Sequence, residues 1–176
     1  MASTKRVAPA AEERFLILLR HGIAEDPVEG KADEQRALTV EGHARMKLIA
    51  RGLERAFPKA NAIYSSPLLR AMQTAMWAAK GYRSRVGVTP SEALAPGATT
   101  EQFLALIESI EETRTIVVGH EPNLTTNLRT LLGLGESRSI ALEKGGCYGV
   151  RVLADGSASL EWLLPPRILN KLGEGE

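Results

Sequence analysis

RFLILLRHG, residues 14–22, breaks an apolar run off at an arginine and a histidine. The run has no polar–apolar alternation, so as a strand it must be buried on both faces, as in a parallel sheet covered by helices. Arg20 and His21 then stand at the carboxyl end of that strand. Partners of the same kind follow: NAIYSS (61–66), a weaker RVGVT (85–89), and RTIVVGH (114–120), which again ends in a histidine. Helical patterns lie between them. TVEGHARMKLIARGLERAF (39–57) opens on a capping residue, Thr39, carries Ile49, Leu53, Ala56 and Phe57 on one face, and is stopped by Pro58. PLLRAMQTAMWAAK (67–80) places Pro67 in a first turn and turns Leu69, Met72, Met76 and Ala79, or their neighbours, to the core. EQFLALIESIEE (101–112), capped by Thr100, and PNLTTNLRTLL (122–132) complete the pattern.

The last third changes character. CYGVRVL (147–153) and SASLEWL (157–163) flank Ala154-Asp155-Gly156, a hairpin signal, and PPRILNKL (165–172) forms a short final helix. The expected fold is therefore α/β: a three-layer sandwich, with a mostly parallel central sheet, helices on both faces and a C-terminal edge hairpin. In such sheets ligands bind outside the carboxyl ends of the strands. Arg20-His21, Ser65-Ser66-Pro67 and Gly119-His120 all fall there, so they converge although they are far apart along the chain.

Composition narrows the function. With 176 residues the chain suits one domain, expected over residues 14–176 behind a loose, polar, Ala/Pro-rich tail at 1–13. Lys plus Arg number 22 and Asp plus Glu 21, so no global field points to nucleic acid or to a membrane as partner. The single cysteine, Cys147, excludes an internal disulfide framework and reads as a small buried strand residue. No apolar run reaches the length of a membrane span, and the tail lacks the apolar segment of a signal peptide. A cytoplasmic monomer is expected.

The converging residues suggest phosphoryl chemistry. Arg20 and Arg70, the latter in the first turn after YSSP, offer guanidinium forks that grip phosphate oxygens and keep their charge at any working pH. A neutral imidazole beside them, His21 or His120, can attack phosphorus. No cluster of carboxylates suggests a magnesium site, so no metal and no other cofactor is expected, and arginine must neutralise the phosphoryl charge.

LLRHG (18–22) resembles the Arg-His-Gly signature of the histidine phosphatase superfamily, the phosphoglycerate mutase-like fold. SSPLLRAMQTA (65–75) is similar to that superfamily's Ser-Ser-Pro-x-x-Arg-Ala-x-Gln-Thr block, and VVGHEPNL (117–124) to its second-histidine block. Three blocks in order are far more specific than one. With the short chain and LTVEGHARM (38–46), they resemble the SixA-type phosphohistidine phosphatase branch. The resemblance implies that His21 is the phosphorylated nucleophile and that Arg20, Arg70 and His120 form the phosphate pocket. It also implies a carboxylate general acid after the third strand, where Glu92 in PSEALAPG is the candidate; Glu25 and Asp26 lie near the nucleophile as well. Mutase-like members continue Arg-His-Gly with a small hydroxyl residue and an asparagine, whereas this chain has HGIAED, which argues against phosphoglycerate. The implied substrate is phosphohistidine on a signalling or phosphotransfer protein. The alternatives are a small phosphate ester and a non-catalytic phosphoprotein-binding module on the same fold. His43 is expected to be a solvated helix histidine, Lys144 an exposed turn lysine, and residues 23–38 a charged, mobile loop, the only long one near the strand ends.

Overall fold

The computed structural model describes residues 12–82, 86–135 and 140–175. Its first strand, β1 (Arg14–Arg20), divides the core in two. Ile17 and Leu19 point into one apolar cluster and Leu16 and Leu18 into the other, all four with no exposed surface. That is why the sequence lacks alternation there: successive side chains face opposite sides, and both sides are covered. β4 (Arg114–Gly119) repeats the division, with Ile116 and Val118 in the first cluster and Val117 in the second.

The remaining elements are α1 (Val40–Ala56), β2 (Ala62–Ser65), α2 (Leu69–Gly81), β3 (Val88–Pro90), α3 (Thr100–Ser109), α4 (Asn123–Leu131), β5 (Cys147–Val152), β6 (Ala158–Leu164) and α5 (Pro166–Glu174). One six-stranded sheet runs in the order β3-β2-β4-β1-β5-β6. Its first four strands are parallel, and β5 and β6 are antiparallel additions at the far edge. α1, α2 and α5 supply the cluster on one face, through residues such as Met46, Ala71 and Leu169, and α3 and α4 the other, through Phe103 and Leu128. The expected three-layer sandwich with its edge hairpin is observed. No helix among the described residues is long and apolar enough to cross a membrane.

Several local expectations need correction. α2 begins at Leu69 with Leu68 as its cap, so Pro67 precedes the helix and does not sit in its first turn. Its buried stripe falls on neighbours of the named residues, the alternative the pattern allowed: Ala71, Ala75 and Ala78 are buried, while Leu69 is 39% and Met76 52% exposed. The small stripe packs into the first core cluster, and α2 meets α1 through Gly81, which lies against the Ala50 carbonyl, and through the Trp77–His43 bond. On α1 the buried face is Met46, Ile49, Ala50 and Leu53, and Ala56 is exposed. α3 is capped by Thr99, through a capping box with Gln102, and ends at Ser109, before Glu111 and Glu112. β3 is displaced from 85–89 to Val88–Pro90; Arg85 and residues 1–11 of the expected tail lie outside the described residues.

The strand ends are level with one another. Arg20 pairs with Gly119, and Ser65 with Val118, so the next residues, His21, His120 and Ser66, leave the sheet at one edge. Backbone bonds hold them there: His21 N–H donates to the Gly119 carbonyl at 3.1 Å and Ser66 N–H to the Val118 carbonyl at 2.9 Å.

Candidate active site

The two histidine rings meet past the ends of β1 and β4, their centroids 5.0 Å apart and their planes inclined by 52°. Both are almost wholly buried, His21 7% and His120 4% exposed. His21 Nδ1 lies 2.8 Å from the Gly22 carbonyl oxygen. A carbonyl only accepts, so Nδ1 carries the proton and Nε2 keeps its lone pair. Gly22 is fixed in turn, since its N–H donates to Thr74 Oγ1 at 3.0 Å, and the Thr74 hydroxyl donates to the Arg70 carbonyl at 2.8 Å. Thr74 thus ties the end of β1 to the first turns of α2.

His120 Nε2 lies 2.8 Å from Ser66 Oγ, which already accepts from the Leu68 N–H at 3.3 Å. We assign the Ser66 proton to Nε2, the tautomer that places the hydrogen of His120 on Nδ1. Burial, followed by the charges of Arg70, Arg20 and Lys144, outweighs the Gly22 bond and pulls the His21 pKa from 6.5 down to about 4. Burial and then His21, Arg70 and Arg20, against Asp33, pull His120 down to about 3. Both imidazoles are neutral at neutral pH.

The two arginines are held in the same way by different loops. Arg70, 4% exposed, gives Nη1 to the Asp33 carbonyl at 2.8 Å and Nη2 to Asp33 Oδ2 at 2.9 Å. Arg20 gives Nη1 to the Leu142 carbonyl at 2.5 Å. In each, Nε is buried without a partner, and so is His120 Nδ1. Five side-chain atoms of this kind occur among the described residues, the others on Arg14 and Asn170, so three of the five gather around His21. Each orphaned donor costs about 1–3 kcal/mol, which a bound oxyanion would offset. The cluster thus offers donors suited to an anion, with an unprotonated imidazole nitrogen beside them.

Residues 23–38 supply Asp33. The loop is charged, as expected, but pinned and not open. Ala24 bridges Leu38, Leu38 N–H donates to Gln73 Oε1 at 2.7 Å, and Arg36 Nη1 donates to the Glu25 carbonyl at 2.6 Å. Its base rests on α1, where Gly42 accommodates the Ile23 carbonyl; a Cβ there would lie 2.0 Å from that oxygen. The Glu25 carboxylate accepts from Lys31 and from the Ala37 N–H, and these bonds hold it below the usual carboxylate range. Glu25 therefore braces the loop, and Asp26 is exposed.

Glu92 stands apart from the inner cluster. It is exposed, in the 3-10 turn Glu92–Leu94 after β3, and borders a cleft of about 420 Å³ with Asp33, Glu34, Pro67, Leu68, Ala95 and Pro96. Because Asp33 also touches Arg70, this cleft adjoins the histidine–arginine cluster. Lys144 is exposed on its turn, as expected, yet near enough to act on His21. The turn itself is anchored at the site: Gly145, at φ +84, donates its N–H to the Arg20 and His21 carbonyls at 3.2 Å each. Cys147 is fully buried, and burial pushes its thiol up, away from reactivity. His43 is not solvated; it is half-buried and accepts from Trp77 Nε1 at 2.9 Å. No group of three or more His, Cys, Asp or Glu side chains among the described residues is placed to hold a metal ion.

Sequence reasoning missed the Asp33 contact and the roles of Ser66 and Thr74 as tethers. Ser66 and Thr74 were visible as letters of the quoted blocks, but Asp33 lies 37 residues from Arg70 with no periodicity to link them.

Comparison with solved structures places the fold. The protein histidine phosphatase SixA complexed with tungstate superposes with a TM-score of 0.76 at 21% identity, covering 88% of this chain and 99% of that one. A SixA protein of Agrobacterium tumefaciens gives 0.74 at 24%, covering 87% and 98%. A phosphoserine phosphatase of Entamoeba histolytica, in complex with phosphoserine, gives 0.68 at 19%, covering 89% and 99%. In sequence the chain is 32% identical over 169 residues to an uncharacterized protein of Picosynechococcus sp., covering 85% of this chain and 99% of that one. The model for the histidine phosphatase superfamily (branch 1) matches residues 16–95, the span from β1 to Glu92 that holds His21 and both guanidiniums, and the chain belongs to that superfamily.

Proposed function

We propose that the chain is a metal-independent phosphatase that works through a phosphohistidine on His21, and that its preferred substrate is phosphohistidine on another protein. The observation that carries the reading is the set of three buried, unpartnered nitrogens, Arg20 Nε, Arg70 Nε and His120 Nδ1, around an imidazole whose Nε2 is free.

The chemistry follows from that arrangement. His21 Nε2 attacks phosphorus, forming the N–P bond as the bond to the leaving group breaks. Arg20 and Arg70 receive the charge on the equatorial oxygens, and His120 Nδ1–H adds a neutral donor. The Gly22 carbonyl, bonded to Nδ1–H, stabilises the positive charge that His21 gains. Water then attacks phosphorus, the N–P bond breaks, and His21 is released with inorganic phosphate.

Two considerations support a phosphohistidine protein as substrate. Transfer from one imidazole to another is nearly symmetric and demands little of a general acid, and Glu92 lies outside the inner cluster. The fold likeness to SixA proteins agrees. A second reading, a phosphatase of small esters, is favoured by the place of Glu92 on the adjoining cleft, where it would protonate an alkoxide, and by the likeness to a phosphoserine phosphatase. A purely binding module would not need a nucleophile with a fixed tautomer. The deciding experiment compares kcat/KM for a phosphohistidine protein with that for a panel of small phosphate esters. Faster turnover of any ester selects the second reading.

A further inference from the structure

Glu121 lies outside the histidine–arginine cluster but is tied to it by one residue. Its Oε1 accepts from the Thr125 hydroxyl at 2.8 Å and from the Leu142 N–H at 3.2 Å, and its Oε2 accepts from the Thr125 N–H at 3.3 Å. Every partner is a donor, which suits an acceptor-only carboxylate. The Thr125 hydroxyl, having donated, accepts from the Tyr148 hydroxyl at 2.9 Å, and Tyr148 is fully buried in the second core. The carboxylate is thus aimed by the rigid middle of the molecule.

Leu142 passes that aim on. Its N–H is held by Glu121, its side chain is 2% exposed in the second core, and its carbonyl takes Nη1 of Arg20. With Nη1 committed, the guanidinium is tethered at one corner, and its buried Nε has no protein partner. We propose that Glu121 is a positioning residue: it fixes the Leu142 carbonyl that orients Arg20, and through Arg20 it sets the affinity of the site for a phosphoryl oxyanion. This rests on the reading of Arg20 as a phosphate ligand. The role asks for reach as well as charge, since an aspartate is one methylene too short to hold the Leu142 N–H.

The test uses the full chain, tungstate as the oxyanion probe, and the side-chain nitrogen signals of Arg20, assigned by their loss in Arg20→Lys. In wild type the two Nη groups of Arg20 should exchange slowly, because one is bonded. In Glu121→Ala and in Glu121→Asp they should average, and the Kd for tungstate should rise roughly 10-fold, the scale of lost support behind a ligand-holding side chain. Glu121→Gln keeps an acceptor oxygen for Leu142 but sets its amide NH2 against the Thr125 N–H, so its Kd for tungstate should fall between those of wild type and Glu121→Ala. The double variant Arg20→Lys/Glu121→Ala should bind tungstate no more weakly than Arg20→Lys alone. Losses that multiply, or Arg20 signals unchanged in both Glu121 variants, overturn the proposal. A wild-type chain that binds no tungstate overturns the phosphatase reading, while the Arg20 signals still decide the role of Glu121.

Discussion

Asp33 holds Arg70 along one edge, its carbonyl on Nη1 at 2.8 Å and its carboxylate on Nη2 at 2.9 Å. The arginine side chain is 5% exposed and the aspartate 51%, so the contact joins a buried cation to the solvent-facing loop 23–38. Arg70, before any other cause, holds the Asp33 carboxyl below the usual carboxylate range. Asp33 is therefore an anion in the working range of pH and a poor proton donor, which leaves it the task of aiming the guanidinium. Asp33→Ala should weaken phosphate or tungstate binding on the order of 10-fold. Because half-exposed ion pairs contribute about 1 kcal/mol or less, the thermal midpoint should move little. Tighter oxyanion binding in the variant would instead make Asp33 a competitor for the site.

The nucleophile has its own test. A phosphoramidate is labile to acid and stable to alkali, so label from a phosphorylated substrate should remain on the protein after an alkaline quench and be lost after an acid quench. His21→Ala should abolish both label and turnover. Near-native turnover in that variant would sink the mechanism.

Much of this architecture was legible along the chain, for a physical reason. A strand covered on both faces, such as β1 or β4, shows as an unbroken apolar run, and its end is where polarity returns, at Arg20-His21 and at His120. α2 was harder because its buried stripe is Ala71, Ala75 and Ala78, and hydrophobic size pointed to Leu69 and Met76. The supports of the site were harder still. Asp33 and Leu142 act partly through main-chain oxygens, and a main-chain oxygen has no residue-type signal. Glu121 was in plain view beside His120, but its partner Leu142 is 21 residues away in a loop.

The buried histidines predict an acid weakness. Their folded pKa values, about 4 and about 3, lie below the ordinary 6.5, so between these limits the unfolded chain binds protons that the folded one refuses. Stability therefore rises with pH across that window and falls as pH drops from 6.5 towards 4, with no contribution above it. Thermal midpoints should decline from pH 7 to pH 4.5, and His120→Gln should flatten the decline. An unchanged slope would mean that other groups govern it.

Charge neutralisation by guanidinium predicts that turnover survives chelators. Arg20→Lys should be severe, because one ammonium cannot hold the Leu142 carbonyl and fork an oxyanion at the same time. Losing such a preorganised contact costs roughly 10²-fold or more in rate. A strict requirement for added magnesium would contradict this account.

Glu92 separates the two substrate readings. It borders the cleft shared with Asp33, outside the ring of buried donors. An alkoxide needs a proton as it departs, whereas an imidazole leaving phosphorus is a far weaker base and needs less help. Glu92→Gln removes the proton and keeps the shape. It should therefore lower kcat/KM for alkyl phosphates, by about 10²-fold if Glu92 is their acid, and change kcat/KM for a phosphohistidine protein much less. His21→Ala should abolish both. Equal losses on the two substrates in Glu92→Gln, or faster wild-type turnover of a small sugar phosphate, would move the assignment to the ester reading, with the cleft of Asp33, Glu34 and Glu92 as the place where that ester's alcohol sits.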